Sequence, residues 1–137
     1  MLKIILCIGS LFLFLNKNIN AQQDSDPDET KASSPKVIYG TASYYSNKFH
    51  GRKTANGEIF SQQKLTAACN VLPLGTWVRV TNLRNRQSVV VKVNDRLHDR
   101  MRRAVDLSRE AARQLGFLQA GLAKVKVEVL GKNKPSE

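Results

Sequence analysis

Two carboxylates of this sequence, Asp95 and Glu58, occupy positions from which a rigid fold could present an acid. Residues 88–93 are mostly β-branched, which predicts a strand, and Asp95 lies at its exit. A carboxylate at the end of a strand is held firmly yet reaches a surface groove, where it can transfer protons. Glu58 follows the dipeptide Asn56-Gly57, a strong turn signal that would aim its side chain. Both acids also fit an ordinary strand end and an ordinary turn.

The elements that must position these acids are short strands and one short helix. Alternating or β-branched segments predict strands, with residues 65–69 a short strand or a turn, and the predicted strands are 37–46, 77–81, 88–93, 104–107 and 122–130. Ser108 is a predicted helix N-cap, and Gly116 is the predicted stop. Such elements predict a small β-barrel or sandwich, with Glu58 and Asp95 on one rim.

The N-terminus has the layout of a secretory signal peptide over residues 1–21. A short basic start precedes an apolar run that is too short to cross a bilayer as a helix, and we expect cleavage after Ala21. Residues 22–36 contain four acids, two prolines and no large apolar residue, which predicts a disordered linker. We expect a folded domain at 37–131 and a flexible tail at 132–137. The protein is therefore predicted to be exported to the periplasm or cell envelope, without a transmembrane segment after cleavage.

Charge and cysteine content restrict the partners. The net charge is +11, and nucleic acid is the usual first hypothesis for the partner of so basic a protein. Export argues against nucleic acid and favours anionic polymers of the cell envelope. A generally basic surface that keeps the protein soluble explains the charge equally well. Removal of the signal peptide would remove Cys7 and leave Cys69 alone, so no internal disulfide is possible. We expect a monomer that binds no nucleic acid.

The chain from about Tyr39 to Leu130 resembles the rare lipoprotein A family of double-psi β-barrels. The matching segments run in order and cover nearly the whole predicted domain, so together they are far more specific than any one alone. They are GTASYY (40–45), FHGRKTANGE (49–58), LTAA (65–68), LPLGT (72–76), VRVTNL (78–83), VNDR (93–96) and VDLS (105–108). The resemblance implies a mainly β fold, a small six-stranded double-psi β-barrel with one or two short helices.

The resemblance also implies an activity. Members of the family are lytic transglycosylases that cut peptidoglycan glycan strands at the MurNAc-GlcNAc bond to give 1,6-anhydro products, with a preference for strands that lack stem peptides. Asp95 corresponds to the catalytic acid and Glu58 to a second functional carboxylate. Cys69 stands where the family has a histidine and is expected to be the third catalytic residue. No metal or cofactor is implied. The residues expected to contact substrate are Tyr44, Tyr45, Thr54, Asn56, Asn94 and Arg96.

Cys69 keeps a second interpretation open. A thiol is a weak donor that behaves more like a small hydrophobe than an imidazole does. The chain could therefore be a glycan-binding or wall-loosening module of the expansin kind that breaks no bond, or a basic domain that binds another envelope protein. The aromatic side chains Tyr44, Tyr45 and Trp77 are expected in the core rather than as sugar platforms, with one tyrosine a candidate for the groove.

Overall fold

The computed structural model describes residues 34–136 of the chain. The predicted signal peptide and the linker up to residue 33 lie outside the described residues, and both stay predictions. None of the helices among residues 34–136 is long and apolar enough to cross a membrane. The described elements, in chain order, are β1 (Val37–Tyr44), a 3₁₀-helix (Asn47–Phe49), β2 (Thr66–Ala68), β3 (Trp77–Asn82), β4 (Ser88–Asp95), β5 (Val105–Leu107), α1 (Arg109–Gln114) and β6 (Ala123–Gly131).

The six strands close into a barrel in the order β1-β5-β2-β4-β3-β6. The pairs β1–β5 and β2–β4 are parallel, and the other four pairs are antiparallel. With one short α-helix and one 3₁₀ turn, this architecture confirms the predicted small six-stranded barrel. Closure of the ring pairs every strand on both sides, so no strand presents an open edge.

Alternation along the strands builds the barrel interior. Side chains of successive strand residues point to opposite faces, so every second residue of β3, β4 and β6 turns inward, and most of these residues are valines. The most buried of these valines are at most 1% exposed, and they are Val78, Val80, Val91, Val93, Val125 and Val127. Burying a valine side chain contributes about 1.5–3 kcal/mol relative to leaving it exposed. The side chains at the alternate positions of β3 and β4 point out of the barrel.

Trp77 is one of these outward residues, and its predicted place in the core is wrong. It lies opposite Lys92 on the adjacent strand, is only partly buried, and is not part of the hydrophobic core. The reason is the register of β3, because Val78 and Val80 take the inward positions and the alternation puts Trp77 and Arg79 outside. Tyr44, by contrast, does pack against the core.

The helix α1 begins and ends as predicted. The Ser108 hydroxyl accepts a hydrogen bond from the amide of Ala111, which is the N-cap geometry. Ala111, Ala112 and Leu115 are fully buried against the barrel. Gly116 follows with φ +74°, the left-handed conformation that ends many helices.

Gly40 marks a close approach between β1 and the residue before β5. A Cβ atom built on Gly40 would lie 2.7 Å from the Cβ of Ala104. Two carbon atoms cannot approach this closely, so a side chain here would force the strands apart. The small residue at position 40 therefore permits the close packing of β1 against Ala104.

Candidate active site

Asp95 is the last residue of β4, two residues beyond the predicted end of that strand. Its Oδ1 accepts hydrogen bonds from the amide of Ala55 at 2.9 Å and from the amide of Arg96 at 2.8 Å. Its Oδ2 accepts a hydrogen bond from the hydroxyl of Tyr45 at 2.6 Å. Two backbone donors therefore occupy one carboxyl oxygen, and the second oxygen is left as the one that can exchange a proton.

Tyr45 is fixed by aromatic neighbours. Its ring lies 5.6 Å from the ring of Phe49 and 4.2 Å from that of Phe60, measured between centroids. Burial, followed by the hydrogen bond to Asp95, raises the pKa of Tyr45 well above its usual range. The phenol thus keeps its proton at every working pH and acts as a donor toward Asp95.

The loop that carries Glu58 is an ordered turn, as its Asn-Gly dipeptide predicts. The hydroxyl of Thr54 donates to Oδ1 of Asn56 at 2.6 Å, and the amide of Glu58 donates to the same oxygen at 3.1 Å. Gly57 has φ +86°, which explains the glycine. The amide of Asn56 donates to the carbonyl of Asn94 at 3.2 Å, so the loop is attached to the end of β4. Thr54 and Asn56 therefore shape the loop from within.

The Glu58 carboxylate is held by three donors. Its Oε1 accepts from Lys92 Nζ at 2.9 Å and from Asn56 Nδ2 at 2.8 Å, and its Oε2 accepts from Asn94 Nδ2 at 3.2 Å. The hydrogen bond from Lys92 and then that from Asn94 lower the pKa of Glu58, so it stays ionised. Lys92 was not singled out from the sequence, because a lysine on the outer face of a strand gives no functional signal.

Glu58 and Asp95 lie beside the same strand end but face different grooves. The Asp95 groove, of about 650 Å³, is lined by Tyr44, Tyr45, Arg52, Asp95, Arg96 and Arg103 among others. The Trp77 groove, of about 900 Å³, lies on the outer face of β3 and β4, and its lining includes Glu58, Lys64, Trp77, Arg79, Lys92 and Lys134.

The sequence predicts that both acids lie on one rim, but in the structure they face different grooves. The alternation of side chains along β4 explains why. Lys92 and Asn94 point to one side of the strand and bind Glu58, whereas Asp95 points to the other. The side chain of Asn94 is 2% exposed, and its Oδ1 has no hydrogen-bond partner among the described residues. Asn94 thus helps to orient Glu58 through this hydrogen bond.

Cations surround Asp95 in its groove. Besides its arginines the groove contains Lys48 and Lys53, against the acids Asp95 and Asp106. Asp106 is paired with Arg103 through bonds of 2.7 and 3.0 Å. The surplus of cations makes the groove suited to an anionic ligand.

Two residues predicted to bind substrate have intramolecular partners. The guanidinium of Arg96 donates through Nη1 to the carbonyl oxygens of Cys69 and Leu72. The hydroxyl of Tyr44 donates to the carbonyl of Leu118 at 2.9 Å. Both line the Asp95 groove, so a substrate would meet fixed side chains.

Cys69 lies behind the groove and not in it. Its side chain is 1% exposed and belongs to the hydrophobic core, and its amide donates to the carbonyl of Asp95 at 3.0 Å. The backbone of Cys69 thereby helps to fix the end of β4. A catalytic role for its thiol stays a prediction.

Gln62 is a site-supporting residue that sequence reasoning missed. Its side chain is buried, donates to the carbonyl of Tyr45 at 2.8 Å and to Oδ1 of Asn47 at 3.2 Å, and accepts from the amide of Arg109 at 2.8 Å. Its own amide donates to Nδ1 of His50 at 3.1 Å. The side chain therefore joins the loop after β1 to the start of α1, and no local pattern in the sequence indicates this.

Comparison with solved structures identifies the same fold. A papain inhibitor of Streptomyces aligns with a TM-score of 0.58 and 21% identity, over 71% of this chain and 96% of the inhibitor. An expansin of Clavibacter michiganensis aligns with a TM-score of 0.57 and 24% identity, over 74% of this chain and 53% of the expansin. At these identities the similarity concerns the fold alone.

Sequence relatives are more specific. The endolytic peptidoglycan transglycosylase RlpA of Pseudomonas aeruginosa is 54% identical over 91 residues, which are 66% of this chain and 27% of the relative. The protein of the same name from Vibrio cholerae is 48% identical over 100 residues, 72% of this chain and 37% of the relative. The chain thus spans well under half the length of these curated relatives.

A family model described as lytic transglycolase matches residues 37–127, which contain both carboxylates and five of the six strands in full. The match begins at the first residue of β1 and continues into β6. The chain therefore belongs to the lytic transglycolase family, as its resemblance to the rare lipoprotein A proteins predicts.

Proposed function

We propose that this domain is a lytic transglycosylase that cleaves the glycan strands of peptidoglycan. The observation that carries the proposal is the environment of Asp95. One of its oxygens is occupied by two backbone amides, and the other lies beside Tyr45 in an open cationic groove. A carboxyl group held in this way presents a single oxygen to a bond in the groove.

The proposed reaction uses Asp95 twice. Its Oδ2 first gives a proton to the glycosidic oxygen of the MurNAc-GlcNAc bond as that bond breaks. The C6 hydroxyl of the same muramic residue then attacks C1, and Asp95 takes the hydroxyl proton, which regenerates the acid. The product is a 1,6-anhydro end, and no water is consumed. Tyr45 keeps Oδ2 in place through both proton transfers.

The groove cations supply substrate binding in this proposal. The lactyl carboxylates of muramic acid are exposed in strands that lack stem peptides, and guanidinium groups match carboxylate geometry. Arg52 lines the Asp95 groove, and no hydrogen bond or ion pair of its side chain to a protein carboxylate exists among residues 34–136, so it is placed to bind such a group. We further propose that the protein acts as a monomer in the periplasm or cell envelope.

A second candidate function follows from the burial of Cys69. The thiol stands at the family's histidine position yet lies in the core, so it supplies no polar group to the Asp95 groove. A domain that lacks this group could bind glycan without cleaving it, in the manner of a wall-loosening module.

Mass spectrometry of purified sacculi and of naked glycan strands after incubation with the protein tests both functions. We expect products that end in 1,6-anhydro-muramic acid. Products with reducing ends would instead identify a hydrolase and contradict the proposed reaction. Binding to sacculi without any product would support the glycan-binding module, and a heat-denatured sample is the control.

A further inference from the structure

The Trp77 groove is built differently from the Asp95 groove and has no part in the proton transfers proposed above. Its floor is the outer face of β3 and β4, where Trp77 lies opposite Lys92 and Arg79 lies opposite Val90. Leu65 and Val90 give it apolar surface, and Lys134 lines it from the C-terminal side. An aromatic side chain thus lies partly exposed among cations in an open groove.

Charge in the Trp77 groove is strongly unbalanced. Its lining contains four cations and one carboxylate, Glu58, which is already paired with Lys92. The other cations are Lys64, Arg79 and Lys134, and none has an ion pair within residues 34–136. The nearest acid in register with Arg79 is Glu128 on β6, and that carboxylate pairs with Lys126 at 3.3 Å. Three cations of the groove therefore lack a counter-charge among residues 34–136, and a ligand with carboxylates would supply it.

We propose that the Trp77 groove is a second, non-cleaving binding site for a carboxylate-bearing glycan strand. The indole ring of Trp77 packs against the apolar face of a sugar, since an aromatic ring offers a flat apolar surface beside a polar rim. Arg79 and Lys64 bind carboxylates on the strand, and the ionised Glu58 accepts a hydrogen bond from a sugar hydroxyl. The choice of a glycan with lactyl carboxylates rests on the proposed function, whereas the existence of the site rests on the groove itself.

This site would hold the protein on the peptidoglycan while Asp95 cleaves a glycosidic bond in its own groove. Glu58 is bonded to Asn94, and Asp95 is the next residue of β4, so one carboxylate of each groove lies near the same strand end. A strand bound at Trp77 raises the effective concentration of glycan at Asp95 without any contact to the reacting bond.

The fluorescence of Trp77 tests the proposal, because this is the only tryptophan of the 137 residues. Naked peptidoglycan glycan strands are titrated into the full-length Asp95→Asn protein, which prevents cleavage during the measurement. We expect a saturable change in Trp77 emission with the glycan. Arg79→Gln should weaken this binding about tenfold, equivalent to about 1.4 kcal/mol. Arg84→Gln is the matched control, since Arg84 lies exposed in the loop after β3 outside this groove, and it should leave the affinity unchanged.

Two further titrations and one variant identify the occupant. A neutral chitin oligosaccharide should bind with an affinity at least tenfold lower, as measured by Trp77 emission. Polyglutamate should not reproduce the emission change that the glycan produces. If polyglutamate reproduces it fully, the groove recognises charge alone and the glycan assignment is wrong. If neutralising Asp24, Asp26 and Asp28 as asparagines alters Trp77 emission without ligand, the occupant is the chain's own acidic segment and the proposal fails.

Failure of this proposal can be distinguished from failure of the proposed function. If the same protein sediments with the glycan strands but its Trp77 emission does not change, the second site is overturned. The proposal that Asp95 cleaves the strand is not affected by this result. If the glycan changes Trp77 emission as expected but the wild-type protein gives no anhydro products, the proposed transglycosylase function is overturned. The second binding site is then still supported.

Discussion

Tyr45 and Asp95 lie 50 residues apart in the sequence, and the phenol of the first donates a 2.6 Å hydrogen bond to Oδ2 of the second. The tyrosine is held by Phe49 and Phe60, so the donor has little freedom to follow a moving carboxyl group. Tyr45 was predicted to touch substrate. Its geometry makes it a positioning residue for the proposed catalytic acid.

We expect Tyr45→Phe to lower kcat by about 10- to 100-fold while KM changes little, because a hydrogen bond to an ionisable partner is worth about 1.5–3 kcal/mol. The ring contacts remain in the variant, so the fold is kept. Tyr44→Phe is the matched control, since Tyr44 lines the same groove but its hydroxyl bonds to the carbonyl of Leu118 and not to Asp95. Steady-state release of anhydro-muropeptides measures both. Equal effects of the two substitutions would remove the special role of Tyr45.

We expect Asp95→Asn to abolish cleavage while glycan binding persists. Asparagine keeps the shape and can still accept from the amides of Ala55 and Arg96, but it cannot donate the required proton. General acid–base catalysis typically contributes about 10²–10⁴-fold, so the residual rate should fall at least by that factor. Sedimentation with sacculi measures binding, and product analysis measures cleavage. Turnover at the wild-type rate would mean that another group is the acid.

We expect Cys69→His to destabilise the fold by about 1–3 kcal/mol, since an imidazole must enter a site where the thiol is fully buried. Cys69→Ala, which keeps the volume small, should cost less and should leave the rate of any cleavage close to wild type. Urea unfolding and product analysis on the same samples check both. A stable Cys69→His variant with a higher rate would show that the position opens to the groove and that the family's histidine can be restored.

The ion pair of Glu58 and Lys92 predicts a dependence of stability on pH. The pKa of Glu58 is lowered in the folded state, so its stabilisation is complete above the ordinary carboxyl value of 4.5 and is lost as the pH falls through the lowered value. The two side chains are 42% and 34% exposed, so the effect should not exceed about 1 kcal/mol.

A double-mutant cycle checks this dependence with Glu58→Gln, Lys92→Met and the double variant. Thermal unfolding at pH 7 should give a favourable coupling free energy that disappears in strongly acidic buffer. A coupling that is the same at both pH values would contradict an electrostatic origin.

The close approach of Gly40 and Ala104 predicts a paired effect on stability. We expect Gly40→Ala to cost about 1–3 kcal/mol, because its Cβ would lie 2.7 Å from that of Ala104. Adding Ala104→Gly should recover a large part of this loss. Gly57→Ala is the comparison, since no atom lies within 4 Å of its built Cβ and its cost comes only from φ +86°. Urea unfolding of the three variants and the wild-type protein measures these effects. No recovery in the double variant would mean that β1 relaxes by another route.

The fold was predictable from the sequence to the extent that local patterns determine it. The alternating valines of β3 and β4 predict strands, the Asn56-Gly57 dipeptide predicts a turn, and Ser108 predicts the start of a helix. These features depend on neighbours in sequence. Trp77 was misplaced because aromatic character alone favours a core position, whereas the register of β3 decides which face it occupies.

The site was predictable in its residue types but not in its arrangement. Asp95 and Glu58 were found from strand and turn signals, yet the bonds from Tyr45 to Asp95 and from Lys92 to Glu58 join residues 50 and 34 positions apart. Such contacts exist only after the barrel closes. The same holds for Gln62, whose side chain contacts two distant segments through bonds that no local pattern encodes.

Closure of the six-stranded ring also governs how the chain can fold. The parallel pair β1–β5 brings together Ala42 and Val105, which are 63 residues apart, and β2 enters the ring only between β5 and β4. Loop-closure entropy must be overcome before such pairs give any stabilisation, so folding on the millisecond-to-second scale is expected. Until the last strand enters, the unfinished sheet has unpaired edges that other chains can join. Aggregation during refolding is therefore the main competitor of this fold, and dilution should raise the yield of native protein.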